Sequence, residues 1–160
     1  MSYLLGIDIG TSGAKTVLFR EDGEVAASHT EDYPLSQPHN GWAEQDPLDW
    51  WEAVKLGCAA VLAQSGVQPG EIAGVGLSGQ MHGLVMLDEQ DQVLHPAILW
   101  CDQRTGEECR DIERLVGLDR LIAITANPPL TGFTASKILW VQKHWSPSAP
   151  DSAGPSGPAP

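Results

Sequence analysis

The residues best placed to do chemistry in this 160-residue chain cluster in its first turn. Asp8 stands at the mouth of the apolar run Leu4-Leu5-Gly6-Ile7, and Gly10-Thr11-Ser12-Gly13 and Lys15 follow before a second apolar run that ends at Phe19. A carboxylate emerging from Leu and Ile is costly to bury unless something cationic faces it. Thr11 and Ser12 bring hydroxyls, Gly10 and Gly13 permit close backbone approach, and Lys15 can reach a phosphate oxygen. The set suits a metal-bound polyphosphate held on a β-hairpin, with Asp8 as the metal ligand. An ordinary hairpin with an Asx-type turn accounts for the same residue types equally well. The glycine spacing is not the dinucleotide fingerprint, and Gly13-Ala14-Lys15-Thr16 misses the P-loop pattern by one residue and lacks a following helix.

Two further positions invite a ligand. Gln80 and His82, either side of Met81 and flanked by Gly79 and Gly83, lie just past an apolar strand, where they can hydrogen-bond a hydroxyl-rich molecule. A polar turn with His82 satisfied by a backbone carbonyl is the plainer reading. Arg104 either approaches the ligand cleft or forms a capping or surface ion pair.

The elements that must position these residues read as a mixed α/β domain. Two strands around the first turn and a third from Val25 to Tyr33 form an antiparallel meander. Asp46 as N-cap, Pro47 at the first helical position and Asp49 in the first turn start a helix that ends at Ser65-Gly66. Trp51, Val54, Cys58, Val61 and Leu62 form its expected sheet-facing side. Ile72 to Leu77 reads as a short buried strand, Leu84 to Leu94 as a hairpin, and Pro96 to Trp100 as a further strand. Asp102 is the expected cap of a helix over roughly 103 to 116. A short helix near Leu118 to Ile124 and a last helix from Thr134 or Ser136 follow, the latter burying Ile138, Leu139 and the run from Val141 to Trp145. Residues 1–145 thus hold all of these elements. The Ser, Pro, Ala and Gly of residues 146–160 have nothing to bury and read as a disordered tail.

Nine Lys and Arg against 21 Asp and Glu leave a net charge of -12. So acidic a surface repels nucleic acid and anionic membranes, and a phosphate ligand must be held by local donors, Lys15 and a divalent metal. There is no signal-peptide pattern and no apolar run of membrane-spanning length. Cys58, Cys101 and Cys109 are odd in number and lack metal-ligand spacing. A cytoplasmic location with reduced thiols is the expectation.

Taken in order, five stretches resemble the FGGY carbohydrate kinases, most closely the branch that phosphorylates D-xylulose. They are Gly6-Ile7-Asp8-Ile9-Gly10-Thr11-Ser12-Gly13-Ala14-Lys15, Trp42-Ala43-Glu44-Gln45-Asp46-Pro47, Gly79-Gln80-Met81-His82-Gly83, Ala97 to Arg104, and Gly132 to Trp140. The resemblance implies an actin-like (ribonuclease H-like) ATPase fold, of which this chain would be the N-terminal part. It also implies ATP and Mg2+ as cofactors and a ketopentose, D-xylulose, as substrate, and it allows a homodimer for the full-length form. By motif, Asp8 would orient Mg2+, while Gly10, Thr11, Ser12 and Lys15 would contact the phosphates. Gln80, Met81, His82 and Arg104 would lie at the sugar. The family's catalytic Asp falls beyond the last matched residue, so the chain alone is expected not to phosphorylate sugar, and its uncovered strand edges favour aggregation or marginal stability. A catalytically silent binding module and an actin- or chaperone-like ATPase are the alternatives, and the Gln80-Met81-His82 loop argues against the latter.

Overall fold

Alternation of apolar residues sets the first strand. β1 (Tyr3–Ile9) buries Leu5 and Ile7 on one face and turns Leu4 and Asp8 to the other. These positions come from a computed structural model that describes residues 2–145; the expected tail of residues 146–160 lies outside the described residues. β2 (Gly13–Arg20) and β3 (Val25–Asp32) continue the meander antiparallel, with Asp8 opposite Lys15 in the β1–β2 register. β5 (Ile72–Gly79) joins the other side of β1 in parallel, with Ser78 opposite Asp8, giving a mixed sheet of order β3-β2-β1-β5.

A parallel neighbour needs a long crossover, and α1 (Pro47–Ser65) supplies it. Asp46 caps it by accepting from the Leu48 N–H at 2.9 Å, and Gly66, at φ 72°, ends it in the left-handed conformation. Leu5, Ile7, Leu18, Ala27, Val61 and Val67 make the core beneath it. The helix comes close because residue 57 has no side chain: a Cβ there would lie 2.4 Å from Thr16 Oγ1.

The chain forms two compact units. The first comprises the described residues up to Gln37, Glu44–Met81 and Val85–Ala97, and so holds the sheet, α1 and the two-residue β4 (Glu44–Gln45). The second comprises Pro38–Ala43, His82–Leu84 and the described residues from Ile98 on. The two-residue β6 (Ala97–Ile98) lies where the chain passes from the first unit to the second. The second unit holds α2 (Gly106–Val116), α3 (Leu118–Thr125) and α4 (Thr134–His144). Lys143 of α4 joins Glu108 and Asp111 of α2 at 2.9 Å each, and Thr105 and Ser136 hydroxyls meet at 2.9 Å.

Several expectations are corrected here. Of the expected sheet-facing side of α1, Val54, Cys58, Val61 and Leu62 pack on the core together with Ala53 and Gly57, but Trp51 is 61% exposed. β5 is an edge strand, not a buried one, with Leu77 76% exposed. The hairpin from Leu84 to Leu94 contracts to a Leu87–Val93 bridge in the first unit. Within its turn the Asp88 carboxylate takes the N–H groups of Gln90 and Gln92 at 2.8 Å each. The strand from Pro96 to Trp100 shrinks to β6. α4 buries Ser136, Lys137 and Trp140 and leaves Ile138 exposed, so two polar residues and Trp140 face inward. Asp102 does not cap α2, whose N-cap is Thr105, because that carboxylate is spent on Arg104 and on the backbone N–H of Ala43.

Gly57→Ala is expected to lower stability by about 1–3 kcal/mol, through overpacking against Thr16, even though Ala is the better helix former. Thr16→Val, which removes a buried hydroxyl without a hydrogen-bond partner, is expected not to lower it. Urea denaturation midpoints of the two variants check both signs.

Candidate functional site

In the first unit, the turn between β1 and β2 is braced from behind by amides. Gly10 N–H donates to Gly13 O at 3.0 Å, closing the turn on itself. Gln45, almost fully buried, donates from Nε2 to Thr11 O at 2.7 Å and to Pro34 O at 3.3 Å, and its Oε1 accepts from Trp50 Nε1 and Gln80 Nε2 at 3.1 and 3.2 Å. Gln80 extends the brace, donating from its own N–H to Ile9 O at 2.8 Å and accepting from the Thr11 hydroxyl at 3.4 Å. The Tyr33 hydroxyl donates to Gly10 O. Burial, with the Asp8 charge as the lesser cause, pushes that phenol up to about 12.

On the open side of this turn Asp8 and Lys15 are exposed and adjacent across the register. They line a shallow cleft of about 330 Å³ with Gly6, Gly76 and Ser78. The donor set fits a cation on a polyphosphate. Among the described residues no group of three or more His, Cys, Asp or Glu side chains could hold a metal ion. A cation at Asp8 would therefore share one protein carboxylate with oxygens of its ligand and water, as Mg2+ does.

The second unit has a cleft of about 400 Å³ lined by His82, Trp100, Gln103, Leu130, Thr131 and the Gly132-Phe133 pair. His82 sits in the left-handed region at φ 64°, with its ring edge-on to Phe133 at 4.7 Å between centroids. In the same unit, Asp102 and Arg104 form a buried ion pair, Nη2 to Oδ2 at 2.7 Å, with the Arg104 side chain 1% exposed. The same carboxylate accepts from the N–H groups of Ala43 and Arg104 at 2.7 and 2.8 Å. The guanidinium lies 3.7 Å from the Trp42 ring centroid and 5.0 Å from that of Trp140. Lys137 is buried, and its ammonium donates to the carbonyls of His82 and Gly132 at 2.8 and 2.6 Å. Burial lowers its pKa to about 8, against the opposing charge of Asp102.

Of the residues singled out in the sequence, Asp8, Gly10, Thr11, Ser12 and Lys15 share the first turn, and Gln80 lies against it. Met81 is exposed in the first unit. His82 lines the second unit's cleft, while Arg104 is not among that cleft's lining residues and points its guanidinium at Asp102 and two tryptophans. Residue types alone did not bring out Gln45, Trp100, Gln103 or Lys137. Each lies within a stretch whose resemblance was noted, which was the only available signal.

Residues 3–151 match the N-terminal domain of the FGGY family of carbohydrate kinases. A xylulose kinase of Klebsiella pneumoniae is 49% identical over 140 residues, which are 88% of this chain and 28% of that protein. A xylulose kinase of Escherichia coli is 47% identical over the same share of each. The crystal structure of a xylulose kinase from Rhodospirillum rubrum, 29% identical, superposes with a TM-score of 0.84 over 89% of this chain and 29% of that one. The chain therefore spans less than a third of the length of these relatives. Among the described residues no helix is long and apolar enough to cross a membrane.

Arg104→Ala would leave the Asp102 carboxylate buried and unpaired, and is expected to cost about 3–5 kcal/mol of stability in denaturant titrations. A variant of undiminished stability would show that Asp102 does not depend on this partner. Lys137 supplies a pH signature. Its pKa of about 8 lies below the ordinary 10.5, so between those values the unfolded chain binds more protons than the folded one. The burial penalty is complete below pH 8 and disappears as pH rises towards 10.5. Relative to Lys137→Met, the stability of the unmutated chain should rise across that window; a flat difference would contradict the assignment.

Proposed function

Because the chain belongs to the FGGY family of carbohydrate kinases and carries part of its actin-like ATPase fold, we propose that it supplies the phosphate turn and sugar-contact residues of an ATP-dependent ketopentose kinase. The substrate of this reading is D-xylulose, which is phosphorylated to D-xylulose 5-phosphate. The observation that carries it is the pairing of Asp8 with Lys15 across the register beside a braced glycine turn. A carboxylate for a cation next to an ammonium for a phosphate oxygen is the charge pattern a magnesium-bound phosphate chain requires.

ATP with Mg2+ supplies the transferable phosphoryl group when bound. Asp8 would hold the cation, while Thr11, Ser12, the turn's N–H groups and Lys15 would hold phosphate oxygens. In a chain of net charge -12, Lys15 is the local counterweight to that ligand. Met81 and His82 would contact the ketopentose, with Trp100 and Gln103 beside His82 in the second unit's cleft. Arg104 serves that cleft through Asp102, which anchors the segment carrying Trp100 and Gln103. Phosphoryl transfer depends chiefly on such positioning and charge neutralisation, and it still needs a base for the attacking hydroxyl. No carboxylate lines the His82 cleft among the described residues, and we assign that base to a group outside these 160 residues. D-xylulose is favoured by the names of the relatives at 49% and 47% identity. Three free cysteines fit a cytoplasmic setting.

In calorimetric titrations of the chain, Asp8→Asn should weaken Mg2+-dependent ATP binding by about tenfold or more and leave D-xylulose binding intact. His82→Ala should do the reverse; a loss confined to ATP would overturn the sugar assignment. In a coupled assay the chain alone should show no turnover. Phosphorylation of D-xylulose at a rate near that of a full-length relative would refute the external base.

A further inference from the structure

Lys137 is fully buried, yet among the described residues no carboxylate forms an ion pair with it. Its hydrogen-bond partners are two backbone carbonyls, those of His82 and Gly132, which belong to segments about 50 positions apart in sequence. Burying an ammonium carries a desolvation penalty that an apolar side chain of similar length would avoid. The position therefore asks what those two hydrogen bonds accomplish.

Both carbonyls belong to residues that line the second unit's cleft. His82 occupies the left-handed region, which a residue with a Cβ enters only where its surroundings impose it. The surroundings are the start of α4. Lys137 and the Thr134 hydroxyl both donate to the His82 carbonyl, at 2.8 and 3.2 Å, while Phe133 packs edge-on against its imidazole. The second bond of Lys137 ties down Gly132, whose backbone is pressed so close to the Trp100 carbonyl that a Cβ would lie 2.8 Å from that oxygen. One ammonium thus bonds to two parts of the cleft wall and, through Gly132, bears on a third.

We propose that Lys137 is a positioning residue for the sugar cleft: it holds the backbone of His82 and Gly132 so that the His82 ring and Trp100 keep their places along the wall. The inference rests on the sugar assignment of His82 given above and adds a residue that never touches the sugar. A purely structural lysine would affect sugar and nucleotide affinity alike or not at all, whereas a positioning lysine separates them.

The test is Lys137→Met in the full 160-residue chain, read by titration with D-xylulose, by titration with ATP and Mg2+, and by the NMR shifts of the His82 ring protons, which report Phe133. D-xylulose affinity should fall by about tenfold and ATP affinity should stay within about twofold, while the His82 protons lose their ring-current shift. Unchanged sugar affinity together with unchanged His82 shifts would overturn the proposal, as would equal loss of both ligands. If the unmutated chain binds no D-xylulose, the sugar reading fails, and the His82 shifts by themselves decide whether Lys137 sets that residue's conformation. Should Lys137→Met not fold, Thr134→Val, which strips the second donor from the same carbonyl, takes its place with the same readouts. A loss of sugar affinity of about threefold with displaced His82 shifts is then expected, and no change in either would overturn the proposal.

Discussion

The first unit depends on one buried amide. Gln45 has four polar contacts, two given and two received, and they join the β1–β2 turn, the loop after β3, the first turn of α1 and the end of β5. A buried amide left with an unmet donor or acceptor is costly, so these contacts are made together or not at all. They add to the bonds that Gly10 and Gly13 make with each other and to the Tyr33 hydroxyl on Gly10. With them, the turn that faces Asp8 and Lys15 has a fixed backbone before any ligand arrives. Preorganisation of this kind is what a phosphate site needs, because donors already in place need not be ordered when the ligand binds.

The second unit meets the same constraint with charges. Asp102 and Arg104 lie in a wall that also contains Trp42 and Trp140, and Lys137 is buried on α4. Each charge is met in full view of its neighbours: the carboxylate by guanidinium and backbone N–H groups, the guanidinium by aromatic faces, the ammonium by carbonyls. Buried ion pairs are poor sources of net stability but strong constraints on geometry, since every partner must be present for the charge to be tolerated. Trp100 and Gln103 flank Asp102 in sequence, and His82 and Gly132 meet Lys137 in space. The polar interior of this unit is therefore joined, through sequence or hydrogen bonds, to residues that line its cleft.

Charge also divides the ligand work. A net charge of -12 makes the surface as a whole unwelcoming to anions, and beside the first turn the exposed Lys15 stands opposite the exposed Asp8. The His82 cleft is different in kind, with aromatic, amide and hydroxyl groups and no carboxylate among its lining residues. Such a lining offers aromatic faces and neutral hydrogen-bonding groups without a fixed negative charge.

The sequence by itself determined the meander, α1 with its cap and stop, the existence of the later helices and the composition of the first turn. Each of these rests on short-range physics: alternation of apolar residues, Asp46-Pro47 at a helix start, glycines where the chain must bend. Local pattern misled where burial depended on distant partners. Val75 and Leu77 look like a core strand but sit at an edge, Trp51 matches the helical period but points outward, and the polar Ser136 and Lys137 take the inward face of α4. Only the tertiary structure decided that Gln80 lies against the β1–β2 turn and that Lys137 bonds to His82. Periodicity records which residues prefer to leave water; it carries no information about which buried polar atom will find which partner across fifty or more residues of chain.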